Sequence, residues 1–153
     1  MEIGREDKKS NDLFYLCSLV EYIGRKTFNK RSVVVNKIGK EKLSKIYNLA
    51  DVYHSDNIEN VATDLIKQYN IENGVFDNVK ECKYNIPTFW DIGKVYKRLI
   101  LSVAQSKQID VVSALIEVYN SSFCRKLDDY NSSVFYDNPE NIFLYYTEGT
   151  LEK

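Results

Sequence analysis

A chain of 153 residues that is 44% hydrophobic and 13% aromatic, with only 2 prolines and 6 glycines, can bury a core and is not a low-complexity tract. Its formal charge of −1 excludes a globally electrostatic partner, and its 3 widely spaced cysteines (Cys17, Cys82, Cys124) draw neither a disulfide framework nor a zinc-ligand pair. The polar opening MEIGREDKKSND is no secretory signal and the longest apolar run, Leu13 to Val20, is too short to span a bilayer, so the expectation is a cytoplasmic protein without a membrane partner.

Residues 1–10 read as a charged leader. From Asn11 or Asp12, both good N-caps, the apolar residues Leu13, Leu16, Cys17, Val20 and Ile23 recur at helical spacing, and Gly24 to Thr27 ends that helix. The Val33–Val35 run is β-branched, but Gly39 offers a C-cap, so a short helix is preferred there to a strand. Leu43, Ile46, Tyr47, Ala50, Tyr53 and His54 form one stripe; Ser55–Asp56 breaks it, and Asp56 with Glu59 recaps a helix carried by Ile58, Val61, Ala62, Leu65, Ile66 and Tyr69. Residues 71–87 lack helical periodicity and read as a long loop with a short turn at 77–82.

Thr88 with Asp91 opens the next helix, buried through Ile92, Val95, Tyr96, Leu99, Ile100 and Val103, and Asp110 caps another through Leu115 to Phe123. From Leu127 the chain turns polar, and Pro139 suits the first turn of a short terminal helix docked by its aromatic run, Ile142 to Tyr146. The expected architecture is all-α, one compact domain of six or seven helices over residues 11–153. The 12 tyrosines suit core edges, where a ring can be buried while its hydroxyl stays wet.

The sequence contains no GxGxxG, GxxxxGK[ST], HExxH, CxxC or GxSxG, so the readable nucleotide, zinc-protease and hydrolase classes are excluded, and neither a cofactor nor a metal is expected. His54 is the sole histidine. Asp51 three residues before it could orient its imidazole, yet no nucleophile is identifiable, and a capping or packing role fits it better.

Charge is unevenly spread: residues 1–50 carry a net +5, residues 51–100 a net −2 and residues 101–153 a net −4. Within the basic part, Arg25, Lys26, Lys30, Arg31, Lys37, Lys40, Lys42 and Lys45 cluster around Phe28, a composition that binds phosphate backbones, and the helices flanking Gly39 could imitate a helix-turn-helix. The acidic remainder and a pI near 5.9 favour a solvated face or a dock for an acidic protein instead. In FWDIGKVYKRLI, Phe89 and Trp90 stand at a helix start with Lys94, Lys97 and Arg98 opposite the apolar stripe; packing on the 71–87 loop is expected, with an exposed interface anchor as the other reading.

The stretch Leu13 to Tyr69, with Glu21–Tyr22, Tyr53–His54 and Ile58–Val61, resembles a small uncharacterised helical bacterial family encoded in compact operons beside proteins resembling ADP-ribosyltransferases. That resemblance implies an antitoxin-like or accessory partner of an operon neighbour, and it carries over no catalytic residue. The expected function is therefore a non-catalytic protein-interaction module, with a nucleic-acid-binding regulator as the alternative and homo-oligomerisation left open. Its candidate binding residues are Arg25, Lys26, Lys30, Arg31, Lys37, Lys40, Lys42, Phe89 and Trp90.

Overall fold

In a computed structural model the backbone is described over residues 2–152 and the side chains over residues 8–148. Among the described residues the fold is all-helical and forms a single compact body: α1 (Glu2–Thr27), α2 (Arg31–Ile38), α3 (Lys40–Asn48), α4 (Ala50–His54), α5 (Ile58–Gln68), α6 (Asn78–Glu81), α7 (Phe89–Lys107), α8 (Val111–Tyr119), α9 (Cys124–Leu127), a 3-10 turn (Val134–Tyr136) and α10 (Pro139–Glu152). Ten helices stand where six or seven were expected, because α4, α6 and α9 have only five, four and four residues, too few to show a period.

Helix α1 is the hub. It begins at Glu2 instead of Asn11 or Asp12, so residues assigned to a leader continue the helix, and Asp12 is an interior position bonded by Lys8 at 3.4 Å. From Asp12 to Gly24 every residue is buried except the half-buried Phe14 and Tyr22, because α2, α3, α4, α5 and α7 all pack on this one helix. Each of its buried aliphatic side chains contributes about 1.5–3 kcal/mol. Its main partner is α7, which runs antiparallel to it: Tyr22 meets Phe89, Ser18 meets Gly93, and Phe14 meets Lys97. A Cβ at Gly93 would overlap the Ser18 hydroxyl and lie 2.9 Å from Ser18 Cα, so glycine here permits the closest approach of the two axes.

Local signals explain most boundaries. Thr88 and Asp91 form a reciprocal capping box on α7, and Asp110 caps α8. Gly39, at φ 87, closes α2 and directly opens α3, settling the β-branched run as helix. The 43–54 stripe is divided at Leu49, whose backbone (φ −115, ψ 30) leaves the helical region. Helix α5 is capped by Asn57, not by Asp56. DNIEN at 56–60 and DNPEN at 137–141 make the same device: the Asp carboxylate accepts from the next backbone N–H at 2.8 Å and from the final Asn side chain at 3.1 and 3.0 Å, while the first Asn caps that final residue's N–H at 2.8 Å.

Helix α10 docks through Ile142 and Tyr146, whereas Leu144 and Tyr145 stay exposed. The tyrosines are not confined to core edges, since Tyr96 and Tyr119 are fully buried and stacked with ring centres 4.4 Å apart. No single helix among the described residues is long and apolar enough to cross a membrane; α7 and α8 would reach that length together, but they meet at 117°.

Candidate functional site

Two places carry chemistry beyond plain packing, and they lie on different sides of α1. The first is a buried polar knot. Glu21 occupies the apolar stripe of α1, and burial alone would raise its pKa. Arg31 overrides that: its Nε donates to Oε1 at 2.9 Å and its Nη2 to Oε2 at 3.0 Å, and Arg25 Nε donates to Oε2 at 2.8 Å. With the Tyr130 hydroxyl also donating to Oε2, the carboxyl is held well below the ordinary carboxylate range.

Arg31, with 0% exposure, spends its other donors on Asn29 O at 2.7 Å and Asn78 Oδ1 at 3.1 Å, and its guanidinium lies over the Phe76 ring. Gly24 makes room for it, since a Cβ there would overlap Arg31 Cδ. The corner between α1 and α2 is tied in place from the 72–76 segment: Gly74 N–H bonds Thr27 O at 2.8 Å, Phe76 N–H bonds Phe28 O at 2.8 Å, and Asn29 Nδ2 bonds Glu72 O at 2.8 Å. Phe28 takes a positive φ of 57 to make that corner, an uncommon conformation for an aromatic residue.

Asn78 passes the knot onward, its Nδ2 donating to the backbone carbonyl of Asp128 at 2.9 Å. The Asp128 carboxylate accepts from Tyr96 at 2.7 Å and meets the Cys124 thiol at 3.4 Å. Burial, seconded by the charge of Glu21, raises its pKa to about 6 against the opposing pull of Arg31. Over this knot opens a cavity of about 620 Å³, walled by α2, residues 75–81, the α8–α9 connection and residues 128–131.

The second place is the outer seam of α1 and α7. Phe14, Ser18 and Tyr22 form one stripe of α1 at four-residue spacing, and around the tight Ser18–Gly93 crossing the aromatics are pushed to the surface. Tyr22 meets Phe89 edge-on at 5.1 Å, Phe89 meets Trp90 at 4.8 Å, and Trp90 meets Phe14 at 5.6 Å. Trp90 remains 37% exposed. Lys97 lies over the Phe14 ring at 5.9 Å, its pKa lowered by burial and by its neighbours Arg98 and Lys94. The ring partners of Phe89 and Trp90 are thus on α1, and not on the 71–87 loop that the sequence suggested.

The basic candidates do not form one patch. Arg31 is in the core and Arg25 is half-buried, bonded to Glu21 and, at 2.7 Å, to Pro87 O, so neither guanidinium faces a phosphate backbone. Lys26, Lys30 and Lys37 are exposed, Lys40 faces Asp110 at 3.9 Å, and the half-buried Lys42 lies over Tyr53. Helices α2 and α3 share the single residue Gly39, leaving no room for the three- or four-residue turn of a helix-turn-helix. His54 is exposed beside the Tyr15 ring at 5.1 Å, and Asp51 is paired with Lys8 at 3.0 Å instead of with His54.

Glu21, Asn78, Tyr96, Asp128 and Tyr130 belong to no catalytic or binding motif in the sequence. Only Glu21 left a signal, a carboxylate among Leu16, Cys17, Val20 and Ile23 on a stripe that is otherwise apolar. No protein-family model, curated protein or solved structure matches this chain.

Proposed function

We propose that this chain is a non-catalytic protein-interaction module, of the antitoxin or accessory kind, that docks its partner on the outer seam of α1 and α7. The observation that carries this reading is the unbroken surface row Tyr22–Phe89–Trp90–Phe14 with Lys97 over its Phe14 end and Lys94 and Arg98 as the charged neighbours of that lysine. Clustered aromatics with cations at their rim are the composition of interface hot spots, and Phe14 and Tyr22 are the only residues of the Asp12–Gly24 stretch of α1 that are not buried. The matching partner surface would present apolar side chains ringed by carboxylates. The resemblance of residues 13–69 points to the product of a neighbouring gene as that partner.

The nucleic-acid alternative is left with lysines alone, because both arginines of the 25–45 segment are spent inside the protein. Reversing Arg31 would unfold the chain and prove nothing; Lys30, Lys37 and Lys40 are the residues to reverse, with salt dependence as the readout.

The test is co-expression with the neighbouring gene product and size-exclusion chromatography at micromolar concentration. A single co-eluting peak is expected, resolved into two by Trp90→Ser combined with Lys97→Glu while helicity is kept. Two separate peaks for the unaltered pair would reject the proposal.

A further inference from the structure

The cavity over the polar knot has the volume of a small-molecule site, about 620 Å³. Asp128, only 4% exposed, is among the residues that line it. The two buried carboxylates of this region are treated unequally. Glu21 is gripped by two guanidiniums, whereas Asp128 makes no ion pair among the described residues. Arg31 does not supply one, because its donors are turned to Glu21, Asn29 O and Asn78 Oδ1. The Asp128 oxygens therefore meet one phenol and one thiol, the latter a weak donor at 3.4 Å.

A buried carboxylate without a cation in contact is costly, and proteins ordinarily pair it or give it a ligand. The rest of the lining adds the carboxylates of Asp77, Glu81 and Asp129 against the cations of Lys30, Arg31 and Arg125, so with Asp128 the acids outnumber the cations by one. Val75, fully exposed, and the half-buried Phe76 provide apolar wall. No group of three or more His, Cys, Asp or Glu side chains that could hold a metal ion occurs among the described residues.

We infer that this cavity binds a small organic cation, an amidinium or ammonium carried on a flat apolar body, with Asp128 as its counter-ion. The cation completes the neutralisation that Arg31 leaves unfinished, and the apolar body lies against Val75 and Phe76. This site is independent of the α1–α7 seam and stands whether or not that surface docks a protein.

Three near-isosteric probes test it by isothermal titration of the whole chain: benzamidine, benzamide and benzoate. Benzamidine should saturate at a Kd on the order of 1 mM, the range expected of so small a ligand, with the neutral and anionic probes at least about tenfold weaker. Asp128→Asn should erase that preference, and Ser122→Trp, a bulky replacement at an exposed lining residue, should abolish binding in a chain whose Asp128 is untouched. Equal affinity for the three probes, no saturation by benzamidine below about 10 mM, or undiminished binding to Ser122→Trp would each overturn the assignment.

Discussion

The two sides of α1 solve opposite problems. On one side Glu21 carries charge into a place water cannot reach and is matched by Arg25, Arg31 and Tyr130. On the other, Phe14 and Tyr22 bring apolar rings to a place water does reach, and α7 answers with Phe89 and Trp90 without covering them. Removing one partner of a buried ion pair strands the other charge and destabilises the fold, whereas a partly exposed aromatic row leaves its rings open to contact. The same helix thus separates residues that hold the fold from residues that the proposed partner would cover.

Arg31→Met should break the first side most severely. It leaves Glu21 buried with a single guanidinium, at a cost of about 3–5 kcal/mol in urea denaturation. Adding Glu21→Leu should recover part of that loss, because removing both charges removes the uncompensated one. A double variant no more stable than Arg31→Met alone would mean that the pair does not act as a unit.

A smaller effect is expected at Asp128, and it has a sign. Its folded pKa of about 6 lies above its ordinary value of 3.8, so the neutral form is favoured by folding; that stability is fully present below the ordinary value and is lost as pH rises through about 6. Glu21 runs the other way, its stabilisation present above its ordinary value of 4.5 and lost only in stronger acid. The melting temperature should therefore climb as pH falls from 7 towards 5. Asp128→Asn should flatten that climb and stabilise the protein by up to about 3 kcal/mol at neutral pH. A flat profile in the unaltered protein would show that Asp128 ionises without penalty.

The smallest change in stability belongs to the seam. Trp90→Ser should cost within about 1 kcal/mol, because the ring is partly exposed and its loss opens no closed cavity. A cost of several kcal/mol in thermal denaturation would place the indole in the core and remove the contrast between the two sides.

What the sequence disclosed follows the range of the physics. The caps at Thr88 and Asp110 and the glycine after Ile38 are set within a few residues, and each was legible. The stripes at 43–54, 58–69 and 92–103 revealed helices, but the interruption at Leu49 has no sequence marker and passed unseen. The candidate sites fared differently because they are assembled from afar. Glu21, Arg31, Asn78 and Tyr130 come from four separated segments, and nothing in the spacing of the basic residues told that Arg31 would be spent internally while Lys30, its neighbour, would stay in solvent. Phe89 and Trp90 were picked out by type alone; their partners Phe14 and Tyr22 could be found only once the crossing of Ser18 with Gly93 was known.

That crossing joins the beginning of the chain to its middle. A helix whose stretch from Asp12 to Gly24 needs cover on nearly every face is synthesised well before Phe89–Lys107, its principal cover, exists. During translation that stretch is sheltered only in part, by α2 to α5, until α7 emerges, and an uncovered apolar face of this kind is open to adhesion.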